Sequence, residues 1–139
     1  NVLTATSLQE PTNWPLRFIR IAGNSIVVSE NIVNDVTGLG QVDGIDFGGD
    51  SKDIMILNNY FKDGRMFLPN QYQDADNIMI HGNTMRSIHG STYDQFALEA
   101  YDIKFNKFTG SNPIPPKLKP ALNLNEIDGQ MVGTLVAPE

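Results

Sequence analysis

The sequence predicts an all-β fold, a single-stranded parallel β-helix or solenoid of about five to six coils, on three observations. First, one phrase recurs with variations: Ile26-x-Val28-x-x-Asn31-x-Val33, Ile54-x-Ile56-x-x-Asn59-x-Phe61 and Ile78-x-Ile80-x-x-Asn83-x-Met85. Second, no stretch sustains apolar residues at the helical spacing i, i+3, i+4, i+7. Third, the strand-like runs do not come in pairs joined by tight turns, which argues against a sandwich.

Taken in order, residues 1–15 read as an N-terminal segment or cap, 16–128 as the β-helix and 129–139 as a C-terminal segment or cap. Two further copies appear if a shorter turn is allowed, Ile103-x-Phe105-Asn106-x-Phe108 and Leu122-x-Leu124-Asn125-x-Ile127. The first residues of the five copies lie 28, 24, 25 and 19 positions apart, the length of one coil of a wide solenoid. Strand side chains alternate between faces, so the first and third residues of each copy, and the residue two beyond its Asn, point inward. Between the two strands the Asn can take the left-handed conformation at low cost and bond to the same amide one coil away, predicting a ladder of Asn31, Asn59, Asn83, Asn106 and Asn125. A third strand per coil is read from Ile19-x-Ile21, Ile45-x-Phe47, a poorer run near Phe67 and Leu68, and Phe96-x-Leu98.

The outward positions form two series. One is Val27, Met55, Met79, Lys104 and Asn123; the other is Ile32, Tyr60, Thr84, Lys107 and Glu126. Both run from apolar in early copies to polar in late ones, so the early outward face is expected to be covered. Three long excursions, residues 62–76, 86–95 and the Pro-rich 110–120, read either as ligand-binding loops on one face or as plain insertions.

Composition excludes several classes of partner. Sixteen acidic against ten scattered basic residues give a net charge of −6, which argues against binding a phosphate backbone or an anionic membrane. No apolar run approaches the roughly 20 residues of a transmembrane helix, so membrane insertion is not expected. Without cysteine, neither a disulfide framework nor a thiolate metal site can form. The chain opens at Asn1 without a leader, and it reads as a piece cut from something larger.

The five repeats, together with the stretch from Val42-Asp43-Gly44-Ile45-Asp46-Phe47 to Gly48-Gly49-Asp50-Ser51-Lys52-Asp53-Ile54, resemble the parallel β-helix repeats of the pectate-lyase-like superfamily. That superfamily includes polysaccharide lyases, glycoside hydrolases, epimerases and phage tailspikes, and the chain is most similar to a tailspike segment. The resemblance covers about residues 16–128. It implies a right-handed solenoid acting on a surface glycan, outside the cell or on a virion. Neither known catalytic set carries over: Met55-Ile56-Leu57-Asn58 stands where pectate lyases have Trp-Ile-Asp-His, and Gly49-Asp50 lacks the second Asp of the polygalacturonase pair.

Within that reading, Asp43, Asp46 and Glu99 are the candidate acid and base. Two coils separate Asp46 from Glu99, about 9.5 Å by strand spacing, and an inverting hydrolase needs carboxylates about 6.5–9.5 Å apart. Arg20 and Arg65 would hold an anionic sugar, and Tyr60 or Tyr72 would stack on a ring. Asp46 is expected to project outward beside Arg20, which equally describes a surface charge ladder. Glu99 falls in a turn. No cofactor is expected; calcium could use Asp43, Asp46, Asp50 and Asp53, but no spacing matches a known calcium loop. His81 and His89 lack companion zinc ligands and read as surface residues in turns.

Two functions follow. One is a carbohydrate-recognising module working on an extended polysaccharide, either binding it alone or also cleaving it as a hydrolase or lyase. The other is a non-catalytic structural module, a fibre, capsid-associated or adhesin segment, assembled as a homotrimer through Val27, Met55 and Met79 or packed against the remainder of a larger chain.

Overall fold

The computed structural model describes residues 2–5, 16–35, 42–62, 64–69, 72–90, 98–110, 114 and 116–133, with backbone alone for 2–5, 16–17, 34–35, 42–43 and 62. Strands dominate and nearly all pair in parallel. One sheet sets β1 (Val2–Ala5), β3 (Ile32–Asp35), β5 (Tyr60–Lys62), β8 (Thr84–Met85), β11 (Lys107–Phe108), β12 (Glu126–Ile127) and β13 (Gln130–Met131) side by side in that order. The other contains β2 (Leu16–Ser29), β4 (Val42–Leu57), β6 (Gly64–Phe67), β7 (Ala75–His81), β9 (Ser87–His89) and β10 (Tyr101–Lys104).

Long strands β2 and β4 explain how the two sheets share one chain. The first half of β4 pairs with β6, which pairs with β9; its second half pairs with β7, which pairs with β10; β2 lies along both halves. The chain thus crosses three strips in turn: a first strip (16–21, 42–47, 64–67, 87–89), a second strip (23–29, 51–57, 75–81, 101–104), and the seven-stranded sheet of short strands as a third.

Alternation within these strands builds the core. Ile54, Ile78, Ile56, Ile80 and Ile103 stack in register in the second strip, Ile45, Met66 and Ile88 in the first, and Val33, Phe61, Met85 and Phe108 in the third, all essentially buried. Each aliphatic side chain removed from water in this way contributes about 1.5–3 kcal/mol. Gly44 is required by that packing. It is the extra residue of a bulge between Asp43 and Ile45, and a Cβ there would sit 2.7 Å from Cδ1 of Phe61.

The Asn ladder forms at the corner between second and third strips. Side-chain amides run Asn31 to Asn59, Asn59 to Asn83, Asn83 to Asn106 and Asn106 to Asn125 at 2.9, 2.9, 3.0 and 2.9 Å. Each receiving oxygen also accepts the backbone N–H of the preceding Asn. Two expectations about this corner are corrected. The left-handed residue is the one before the Asn: Glu30, Asn58, Gly82, Phe105 and Leu124 have φ of 56°, 55°, 71°, 60° and 65°. The Asn stays outside that region because its amide must face its neighbours in the stack.

Nor is the fourth turn shorter. Tyr101 pairs with Ile78 and Ile103 with Ile80, so the fourth copy is Tyr101-x-Ile103-x-x-Asn106-x-Phe108 with the common spacing. Phe105, expected inside, occupies the left-handed turn and is 56% exposed. The outward row therefore reads Val27, Met55, Met79, Asp102, and Lys104 falls beside His81.

Two of the three expected excursions leave from one other corner, between first and second strips; the third, 110–120, follows β11 and runs into a 3-10 helix, Pro116–Ala121. At that corner between first and second strips the connection lengthens along the chain, from residues 48–50 to 68–74 and then 90–100; the poorer run near Phe67 is part of a strand, Gly64–Phe67, and Ser87–His89, expected within the 86–95 excursion, is another strand of the first strip. At the far end β13 turns back antiparallel on β12 through Asp128 and Gly129, both at positive φ, as a two-residue hairpin requires.

Candidate functional site

On the outer face of the first strip, the register lines up Arg20, Asp46, Phe67 and His89 on four neighbouring strands. Arg20 reaches over the next strand, where Gly48 leaves room: a Cβ on Gly48 would collide with its guanidinium. Arg20 Nε lies 3.4 Å from Asp46 Oδ2. Phe67 and His89 continue the row as stacked rings, centroids 6.4 Å apart and 24° from parallel. His89 Nε2 is 2.7 Å from Ser87 Oγ on the same strand.

Asp46 departs from expectation. It faces outward but is only 6% exposed, so it is not a rung of a solvated charge ladder, whereas the Arg20 side chain remains 59% exposed. Burying a carboxylate costs free energy that a nearby guanidinium offsets, so the pair is an arrangement the fold has to support.

The other expected site residues divide between this face and elsewhere. Arg65 pairs in register with Asp43 on one side and Ser87 on the other, one row from Asp46. The side chain of Asp43 lies outside the described residues. Tyr72 sits in the 68–74 excursion and is 84% exposed. Tyr60 belongs to the third strip, in a row with Ile32 and Thr84, and does not share the face.

Glu99 is exposed in a 3-10 turn, Leu98–Ala100, that runs into β10. Two strands beyond Asp46 the chain places His89, not Glu99, because Ile88 and not Leu98 is the inward residue stacked on Met66. His89 and Phe67 are the members that sequence reasoning missed. Pairing Ile88 with Met66 would have found both.

His81 likewise lies on a strand and not in a turn. Its Nε2 is 3.0 Å from Asp102 Oδ2, and Lys104 Nζ is 3.2 Å from Asp102 Oδ1. Beside this cluster, burial pushes the hydroxyl pKa of Tyr101 up from its ordinary value. Among the described residues no group of three or more His, Asp or Glu could hold a metal. Asp50 and Asp53 are engaged otherwise, accepting from Asp74 N–H at 2.9 Å and Asn77 Nδ2 at 2.7 Å. No helix among the described residues is long and apolar enough to cross a membrane.

The arrangement offers a carboxylate, a guanidinium and two ring faces along one row at strand pitch. Compared with protein-family models, with curated proteins and with solved structures, the chain matches none.

Proposed function

We propose that this chain is a segment of parallel β-helix that recognises an extended glycan along the outer face of its first strip, outside the cell or on a virion in the manner of a tailspike. The observation that supports this most is the row of Arg20, Asp46, Phe67 and His89. Ring faces suit the apolar faces of sugars, a guanidinium suits a sugar carboxylate, and a nearly buried Asp suits sugar hydroxyls. Successive strands repeat about every 4.8 Å, which gives the row the regular pitch that a polymer with its own repeat can follow. Tyr72, exposed in the 68–74 excursion that follows β6, adds a further ring for stacking. Recognition is favoured over cleavage because the row of Asp46 holds no second carboxylate, and Glu99 lies in the 3-10 turn before β10.

Affinity electrophoresis against acidic and neutral bacterial polysaccharides tests the reading. Retardation by an acidic polysaccharide is expected, weakened at least tenfold by Phe67→Ala or Arg20→Ala and unchanged by Met55→Asp. No retardation of the folded chain by any polysaccharide would sink it. New reducing ends, or a lyase's unsaturated product, lost in Asp46→Asn would extend recognition to hydrolysis or elimination.

A second reading, a structural module assembled through the outer faces of its second and third strips, draws on Val27 and Met55 of the second and Ile32 and Tyr60 of the third, which are 61%, 38%, 43% and 45% exposed, with Met79 beside Met55 half-buried. A homotrimer or a larger chain would cover them, and the Met55→Asp variant would then lower the mass seen in sedimentation.

A further inference from the structure

Arg20 reaches Asp46 by lying across a residue that has no side chain. Asp46 stands opposite Arg20 in register, and Gly48 follows two residues later on the same strand, so alternation returns it to the outer face. A Cβ on Gly48 would fall 2.9 Å from Cζ and 3.0 Å from Cδ of Arg20, and closer still to Nε. The three atoms nearest that Cβ all belong to Arg20, so the guanidinium rests directly on the bare backbone of β4.

The backbone itself does not demand glycine there. Gly48 is outside the left-handed region that Gly23, Gly82, Gly129 and Gly133 occupy, so an alanine could adopt its conformation. Glycine inside a strand costs chain entropy and marks a bend or a close approach. Gly48 begins the connection 48–50, which makes a bend the competing account. What favours close approach is the state of Arg20: its ion pair is made through Nε, 3.4 Å from Asp46 Oδ2, and among the described residues it has no other partner. The N–H fork of its terminal nitrogens is therefore left for a ligand.

We propose that Gly48 is a positioning residue of the glycan site: having no side chain, it seats the Arg20 guanidinium beside Asp46 and so sets the preference for an acidic over a neutral glycan. The inference rests on the glycan reading given above. A guanidinium already seated can meet a carboxylate through two parallel hydrogen bonds with little ordering left to do, whereas one lifted off the strand must first be immobilised. Gly48→Ala would lift it, and the exposed Arg20 side chain has solvent to move into.

Two readouts on the intact chain test this. The nuclear magnetic resonance signal of the Arg20 Nε–H reports the seat with no glycan present. It is expected to stand apart from free arginine, to move in Asp46→Asn, and in Gly48→Ala to collapse to the free position with roughly tenfold faster solvent exchange, while the midpoint of thermal unfolding does not fall. Affinity electrophoresis in alginate and in carboxyl-reduced alginate reports the preference. It should drop by about fivefold or more in Gly48→Ala, yet change by less than about twofold when the same substitution is made in Arg20→Ala, since the two residues act as one unit. An unmoved Arg20 signal in Gly48→Ala, an unchanged preference, or an equal loss in the Arg20→Ala background would each overturn the proposal, the last by reducing Gly48 to a bend. Alginate that fails to retard the unaltered chain would overturn the preference together with the glycan reading, and that failure is told apart from the others by an Arg20 signal that still moves.

Discussion

Two corners of the same repeat obey opposite rules. Where the second strip meets the third, every repeat uses the same geometry: one left-handed residue, then an Asn of the ladder, the three inner ones each donating to the next Asn and accepting from the one before. Where the first strip meets the second, the connection grows from residues 48–50 to 68–74 to 90–100. A buried amide has to meet its partner within hydrogen-bond distance on both sides, so a single added residue would strand several polar groups. Among the described residues no such chain of bonds ties the other corner together, so its length can vary and it can carry an exposed ring such as Tyr72.

Breaking the constant corner should have the largest effect. Asn83→Ala removes donors to Ile56 O, His81 O and Asn106 Oδ1 and the acceptor for Asn59, so a loss of about 3–5 kcal/mol in denaturant-measured stability is expected. A loss below 1 kcal/mol would show that the ladder is passive. Smaller and opposite in sign is Glu30→Gly. Glu30 is exposed at φ 56°, and glycine relieves the left-handed strain at some cost in chain entropy, giving a net gain of about 0.5–1 kcal/mol. Destabilisation there would mean that the Glu30 side chain, and not its backbone, matters. At the variable corner Tyr72→Ser should change stability by no more than about 0.5 kcal/mol while weakening glycan retardation, which separates the corner's role from the scaffold's.

Most of the architecture was legible because the ladder needs one residue type at one position in every repeat. The errors came where a residue imitated another role. Phe105 looked like an inward strand residue, but exposed aromatic side chains are tolerated in a turn, and counting back three from Asn106 places Ile103 instead. Similarly, Phe96-x-Leu98 has a better strand pattern than Ser87-Ile88-His89, yet Ile88 fills the space above Met66. The candidate site was half legible. Arg20 and Asp46 follow from alternation, but the burial of Asp46 depends on surroundings that no local pattern encodes, and Phe67 and His89 enter only through register.

The ladder's bonds all point one way. Each side-chain carbonyl faces earlier repeats and each amide N–H faces later ones, so the five amides add like the peptide dipoles of a helix. The row is therefore an electrically polar rod with its negative pole at Asn31 and its positive pole at Asn125. At the positive pole three backbone carbonyls neutralise the charge. The negative pole favours an amide or ammonium over a carboxylate.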